Sequence, residues 1–463
     1  MIDAAMREIL RCGDLASDLG DAVRFTGEDP VFPTQYRVGT AGAAALGALA
    51  VAMANLRERQ TGRRPDIAID VRDAAASLRG SRYVRIDGKQ ERSPEAVTGF
   101  YRVADGRWNY FHCNAPVHQR KLLEVLGVPA ERNRVAAAAL GWKTYDLEEA
   151  VDVAGGCAPA VRTPEEWRAL PNTAALAAEP LVEIRKIADS APIALPAGGR
   201  PLSGIRILDL TRVLAGPTSG RLLAEYGADV LKITSEQYPD YPALELDTGY
   251  GKRKAMLDIA SSPGRERFES LVRQCDVFSQ AYRQDAMVGL GFAPEQVAAL
   301  RPGIVYVSLN AYGFTGPWRG RRGFDTVVQS ASGMAHVSGR GKEPRLMPVS
   351  SLDYLAGFLM TFGALVALHR RAEQGGSYCV KVSLARASEW VTGMGLMDPA
   401  VLDSTPEELG AHELARLLIN VTTPRGRLTR LRPVIRFSEA MLNELPEWRI
   451  AAESGAVWSS NRP

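Results

Sequence analysis

The chain has 463 residues, more than one hydrophobic core usually organises, so two or three domains are expected. Its 46% apolar and 24% charged residues are an ordinary globular balance. The 56 basic and 53 acidic side chains are mixed along the chain, and this excludes the basic tail or stripe that would hold nucleic acid.

In chain order, MIDAAMREILRCGDLASD reads as a short amphipathic helix and not as a signal peptide. ALGALAVAMANLRERQTG (45–62) is an apolar helix that turns charged at its end, and DIAIDV (66–71) alternates as a strand. FYRVADGRWNYFHC carries a hairpin turn at ADG, and TPEEWRAL offers a capping box between Thr163 and Glu166. Residues 187–203, IADSAPIALPAGGRPLS, have prolines, glycines and no periodicity, the pattern of a linker. Beyond it the rhythm becomes strand–helix–strand: IRILDL (205–210), SGRLLAEYG (219–227), ADVLKI (228–233), RERFESLVRQC, DVFSQA, PEQVAALRP and IVYVSL (304–309). Such alternation implies a parallel sheet covered on both faces, with ligands beyond the carboxyl ends of its strands.

PVSSLDYLAG (348–357) then opens the apolar helix FLMTFGALVAL. A single acid, Asp353, stands in its first turn. One reading is a helix start, with Ser350 or Ser351 as cap and the acid at the positive end of the macrodipole. GALVALHRRAEQGGSYCVKVSLARASEW (363–390) also echoes GALAVAMANLRERQTGRRPDIAIDVRDAAAS (47–77) in its order of features, which points to a duplicated element. The five cysteines are scattered without CxxC spacing, the pattern of reduced thiols rather than of a disulfide frame or zinc site. The apolar stretches look too interrupted to span a bilayer, so a soluble cytoplasmic protein with no membrane or metal is expected.

GIRILDLTRVLAGPTSGRLLAEYGADVLKI, GKRKAMLDI, CDVFSQAYR, IVYVSLNAYGFTGPWRGRRGFDTVVQSASG and the DYLAG segment together resemble the family III CoA-transferases over roughly residues 203–390. The first half is similar to the same family's later region through FYRVADGRW, LLEVLGVP and GCAPAVRTPEEW, and TPRGRLTRLRPVIRFSE (423–439) is similar to its C-terminal tail. The order is permuted or partly duplicated. The resemblance implies an α/β fold, a Rossmann-like parallel sheet domain with a smaller α+β domain. The expected organisation is a small-domain-like region with the duplicated element (1–186), the linker (187–203), a CoA-binding catalytic domain (204–390) and a tail returning to the large domain (391–463).

In the family, the position of Asp353 is a catalytic aspartate. The chemistry suits a carboxylate: it attacks a thioester, forms a mixed anhydride, and returns as an aspartyl-CoA thioester that an acceptor acid opens. Neighbouring helix amides would hold the carboxylate or an oxyanion. Counting back from the shared strand places Thr40 opposite Asp353 in the first copy, so one active site per chain is expected. Lys252 and Arg253 match the family's basic pair for CoA, against a solvated-turn reading. Arg212, Ala215 and Gly216 sit after the first strand, where backbone must approach the ligand. Leu214, Thr234 and Ala281 depart from the family's polar residues. The arginine-rich WRGRRG (318–323) would add to a phosphate or carboxylate field unless it is simply solvated.

The expected function is transfer of CoA from an acyl-CoA to a carboxylic acid, in the class of sulfur-group transferases, with acyl-CoA as substrate and a homodimer as assembly. Racemisation or isomerisation needs an acid and a base on opposite faces, and where the racemase branch of the family that this chain resembles has a histidine, this chain has Phe324, followed by Asp325; His336 lies nearest in sequence. A non-catalytic CoA-binding subunit of a hetero-oligomer is the third reading.

Overall fold

The computed structural model describes residues 1–16, 22–91, 96–196, 199–236, 240–283, 286–445 and 455–459. Ten strands organise it: β1 (Val23–Thr26), β2 (Ile67–Asp70), β3 (Glu183–Ala188), β4 (Arg206–Asp209), β5 (Asp229–Thr234), β6 (Arg253–Met256), β7 (Val277–Gln280), β8 (Val305–Asn310), β9 (Ser377–Ser383) and β10 (Arg436–Phe437). Seven form one sheet in the order β3-β9-β8-β7-β4-β5-β6, parallel except for β3. Its inner strands β7 and β8 are buried on both faces, as a parallel sheet requires, while the edge strands β3 and β6 are partly exposed. Leu208, Leu231 and Phe278 pack against Phe268, Leu271 and Val297 of two covering helices. The alternate residues Ile207, Val230, Val277 and Val305 join the larger core on the other side.

At the centre of that larger core, two 24-residue helices, Val38–Thr61 and Ser351–Gln374, pack against each other. Both pass the length and hydropathy requirement for crossing a membrane, which corrects the expectation drawn from their interruptions. The apolar stretch of each is, however, almost wholly buried within the protein, as in core helices. Each ends at a glycine, Gly62 or Gly375, and each leads to a strand and a following helix at the same spacing. Asp70 caps the helix Val71–Ser77, and Ser383 caps Leu384–Gly393. The same helix–glycine–strand–helix order therefore recurs at one spacing in the two halves. In this register the two GAL triplets at 47 and 363 do not coincide, whereas Thr40 does fall opposite Asp353.

The copies are crossed. In the first, β1 pairs parallel with β2, as β8 does with β9 in the second. The antiparallel strand beside β9 is β3, which follows the first copy's small region, with Ile184 opposite Val380. The antiparallel strand beside β2 is β10, which follows the second copy's small region, with Phe437 opposite Ile67. Each half thus closes the other's sheet. Side chains repeat the exchange: Glu413 binds Arg72 at 2.8 Å and Glu408 binds Arg79 at 2.7 Å from the second half to the first. The first half's small region (hairpin Gly99–Arg102 and Trp108–Phe111, with helices Pro116–Leu126, Arg132–Ala139 and Thr144–Ala154) docks on the second, where Arg321 binds Glu149 at 2.6 Å. The Thr163–Glu166 capping box is present in this region. Of the linker span, Ile187 and Ala188 belong to β3, and the described residues of 189–203 form no helix or strand. Among the described residues, the first copy has the three-strand sheet β1-β2-β10 in place of the seven-strand sheet.

Candidate active site

The site is built where three chain segments converge at the carboxyl side of β4. The first is the loop from β4 into the helix Ala215–Glu225. Val213 within it adopts φ 70°, a left-handed conformation that a β-branched residue enters only at a cost of about 1–3 kcal/mol. The loop is tight as well as strained: a Cβ on Gly216 would lie 2.3 Å from Cβ of Thr211. The second segment is the start of the Ser351–Gln374 helix. It crosses the Ala215–Glu225 helix so closely that a Cβ on Gly357 would lie 2.6 Å from the Ala215 carbonyl oxygen. The third is the loop Gly316–Phe324 leading into the helix Asp325–Ala331.

Asp353 sits in the first turn of its helix and is 7% exposed. The cap of that helix is neither Ser350 nor Ser351, which make no side-chain cap. It is Asp325, whose Oδ2 accepts the amides of Leu352 at 2.8 Å and Asp353 at 3.2 Å. Gln329 donates to the other oxygen of Asp325 and accepts the amide of Met347 at 2.9 Å. The amides expected to serve Asp353 or an oxyanion are therefore taken by Asp325. Burial, and then the charge of Asp325, raise the Asp353 carboxyl well above the usual carboxylate range. Burial also raises Asp325, but the amides of Asp353 and Leu352 and the Gln329 side chain favour its charged form. Asp325 is thus the first of the pair to ionise, and Asp353 carries the unrelieved cost.

The other expected site residues fall into two groups. Arg212, Ala215 and Gly216 lie on the strained loop and helix start, with Ala215 and Gly216 buried in the helix crossing. Lys252 and Arg253 are committed inside the protein. Lys252, 3% exposed, donates to Asp209 at 2.9 Å and to the Pro217 carbonyl at 2.8 Å, and burial lowers its pKa against the pull of Asp209. Arg253 grips Asp229 at 2.8 and 3.0 Å and the Val457 carbonyl at 2.7 Å. The Lys252 pair anchors the first segment, since Asp209 also accepts the amide of Thr211 at 2.9 Å.

Three residues that the sequence did not single out join the site from the first half. His112 stacks on Phe324 with ring centroids 4.3 Å apart, and its Nδ1 lies 3.1 Å from Oγ1 of Thr326. His118 approaches the same ring at 5.4 Å. Burial, and then the neighbouring His118, push His112 down to about 3. Burial, Arg322 and Arg212 push His118 down to about 4. The third, Gly155, passes beside the Arg322 guanidinium, 3.3 Å from where its Cβ would be. His336 is exposed on the surface. Among the described residues no group of three His, Cys, Asp or Glu side chains could hold a metal ion, and the five cysteines are free thiols.

The model of CoA-transferase family III matches residues 18–195 and 202–421, one segment on either side of the linker. The chain belongs to this family. Among its relatives, the acetyl-coenzyme A transferase nodX of Hypoxylon pulicicidum is 29% identical over 333 residues, which are 65% of this chain and 55% of that protein. The succinyl-CoA–L-malate CoA-transferase alpha subunit of Chloroflexus aurantiacus is 30% identical over 216 residues, 43% of this chain and 50% of that one. The chain spans about half the length of the curated relatives it matches. The crystal structure of Rv3272 from M. tuberculosis, orthorhombic form, shares 28% identity over 42% of this chain and 56% of its own, with a TM-score of 0.39.

Proposed function

We propose that the protein transfers CoA from an acyl-CoA to a carboxylic acid with Asp353 as the nucleophile. The observation that carries this reading is the buried carboxylate of Asp353, with its pKa raised, held beside the buried Asp325 at the start of the core helix. In such surroundings the ionised form is poorly solvated, and it is strongly driven to form a covalent bond with an acyl carbon. An Asp353 oxygen attacks the thioester carbonyl, the carbon–sulfur bond breaks, and CoA leaves as thiolate. The thiolate attacks the aspartyl carbon of the anhydride and expels the donor carboxylate. The acceptor carboxylate attacks the resulting aspartyl-CoA thioester, and the released thiolate then takes the acceptor acyl group and restores Asp353. No net proton moves through the cycle, so it needs no general acid. Arg212, Ala215 and Gly216 are assigned to the acyl-CoA side of the site. Lys252 and Arg253 shape that side through ion pairs that tie the start of β6 to Asp209 of β4 and Asp229 of β5. The family membership and the names of the relatives support CoA transfer as the reaction class. A cytoplasmic location and a homodimer belong to the same reading. The crossing of halves within one polypeptide supplies internally the kind of exchange that an interlocked dimer makes between chains.

Incubation with an acyl-CoA and hydroxylamine, followed by mass spectrometry, tests the assignment: Asp353 becomes the hydroxamate. An unmodified Asp353 in folded, acyl-CoA-exposed protein overturns it and favours the subunit reading, to which the departures at Thr234 and Ala281 would belong. One observation favours acyl-CoA racemisation as a second reading, because His112 brings an imidazole against Phe324. An imidazole with its pKa near 3 is a feeble base at neutral pH, which weakens that reading. Deuterium appearing at the substrate α-carbon in heavy water would establish it.

A further inference from the structure

The residue after Asp353, Tyr354, is fully buried, and its hydroxyl is the meeting point of three parts of the chain. The phenol donates to Oδ2 of Asp247 at 2.9 Å and accepts the amide of Ser81 at 2.8 Å. Burial, and then the charge of Asp247, raise its pKa well above the ordinary tyrosine range, so the proton stays on the phenol and the direction of both bonds is fixed. Asp247 lies in the short helix Pro242–Thr248, just ahead of Lys252, and its Oδ1 faces Arg221 of the Ala215–Glu225 helix at 3.4 Å. Ser81 comes from the first half. In the same turn the carbonyl of Leu78 accepts the amide of Ser350 at 3.0 Å, so this one turn holds the chain on both sides of Asp353. The fit is close: a Cβ on Gly80 would lie 3.3 Å from both the Tyr354 hydroxyl and Oδ2 of Asp247.

Stability alone does not account for this arrangement. A phenylalanine would fill the same space, and a buried ion pair such as Asp247 with Arg221 often does little more than offset its own desolvation. What a hydroxyl with two directional bonds supplies, and an apolar ring does not, is a fixed orientation. Successive residues of a helix point about 100° apart, so Tyr354 aims away from Asp353 while fixing the rotation of the turn that carries both. Asp325 holds the same turn from its amides. The two holds together fix the height and the rotation of the backbone beneath the Asp353 carboxyl.

We infer that Tyr354 is a positioning residue for Asp353. Bridged between Asp247 and Ser81, it aims the carboxylate at the thioester carbon, and through it the first half takes part in the chemistry of the second. The inference rests on the transferase reading, in which Asp353 is the group that attacks. Tyr354 exchanges no proton in that step: an Asp353 oxygen bonds to the acyl carbon, the carbon–sulfur bond breaks, and CoA leaves as thiolate. Attack needs the reacting atoms about 3–3.5 Å apart and aligned, and a displacement of about 1 Å costs on the order of 100-fold in rate. Loss of the bridge therefore acts on the covalent step and leaves substrate binding in place.

The experiment follows, by mass spectrometry of the full chain, the rate at which hydroxylamine captures Asp353 as its hydroxamate. The donor is the one that labels wild type fastest in a panel of straight-chain and dicarboxylic acyl-CoA thioesters. In Tyr354→Phe the rate at saturating thioester falls about 10- to 100-fold, and the thioester concentration giving half that rate stays within about two-fold of wild type. Labelling still reaches the same final extent. Gly80→Ala, a change in the other half, gives a smaller fall of the same kind. A merely structural role would instead lower the labelled fraction or raise the half-rate concentration, and would leave the rate of each folded molecule as in wild type. Tyr354→Phe that labels as fast as wild type overturns the inference; if that variant does not fold, Gly80→Ala labelling as fast as wild type does so. A wild type in which no thioester labels Asp353 overturns the transferase reading and this inference with it, so the two failures are told apart.

Discussion

The two core helices, Val38–Thr61 and Ser351–Gln374, set fold and chemistry side by side in one molecule. Both begin at a pair of amides captured by a distant aspartate. Asp29 takes the amides of Gly39 at 2.9 Å and Thr40 at 2.8 Å, as Asp325 takes those of Leu352 and Asp353. Both end at glycine and feed a parallel strand. They differ at the third residue, threonine in one and aspartate in the other, and in the strands beside them, since among the described residues the first half has no counterpart of β4, β5, β6 and β7. The capping carboxylate therefore belongs to the architecture, because it recurs in both halves. The acid at position three is the one the proposed reaction uses.

The largest test of that contrast is exchange of the two residues. Asp353→Asn should lower CoA transfer roughly 10⁴-fold or more with the fold intact by circular dichroism, and adding Thr40→Asp should restore nothing. Recovery of turnover in the double variant would mean that the first half still holds a working site. Next in size is Lys252→Met, which strands Asp209 as a buried uncompensated charge. We expect a loss of about 3–5 kcal/mol in denaturant unfolding, with the failure in stability preceding any change in the affinity of the protein that remains folded. Asp29→Asn and Asp325→Asn should each cost about 0.5–2 kcal/mol as lost caps. Only the second should also shift the pH–rate profile, because only Asp325 faces a reacting acid.

The smallest effect concerns pH and stability. An acid whose folded pKa is raised keeps a proton that the unfolded chain releases, so its contribution to stability falls as pH rises from its unfolded pKa to its folded one. Asp353 is such an acid. Asp353→Asn should melt above wild type at neutral pH, and the gap should close as the solution is taken down to about pH 4. A gap that widens toward acid would show that Asp353 is ionised and stabilised in the folded protein.

Much of this was legible beforehand. The parallel strands announced themselves by alternation with short helices, and the copies by a helix–glycine–strand order that survives in both halves. The AGP loop and Asp353 stood out by their motifs. What the sequence hid was long-range. A serine beside a helix start is the local candidate for a cap, but the cap is Asp325, which reaches back across the segment that separates it from Leu352. Lysine and arginine in GKRK have no sequence signal to say whether they face solvent, ligand or an internal acid, and here Asp209 and Asp229 claim them. His112 and His118 come to Phe324 only because one half's small region lies across the other, a docking that no local period encodes.

The exchange of β3 and β10 has a consequence for how such a molecule changes over generations. In an assembly of identical subunits every substitution is made twice, so neither site can be abandoned without losing both. Here the two halves are separate stretches of one message, always produced in equal number and already threaded through each other. One of them can therefore differ from the other at its third helix position and in its sheet while remaining the scaffold on which its neighbour depends.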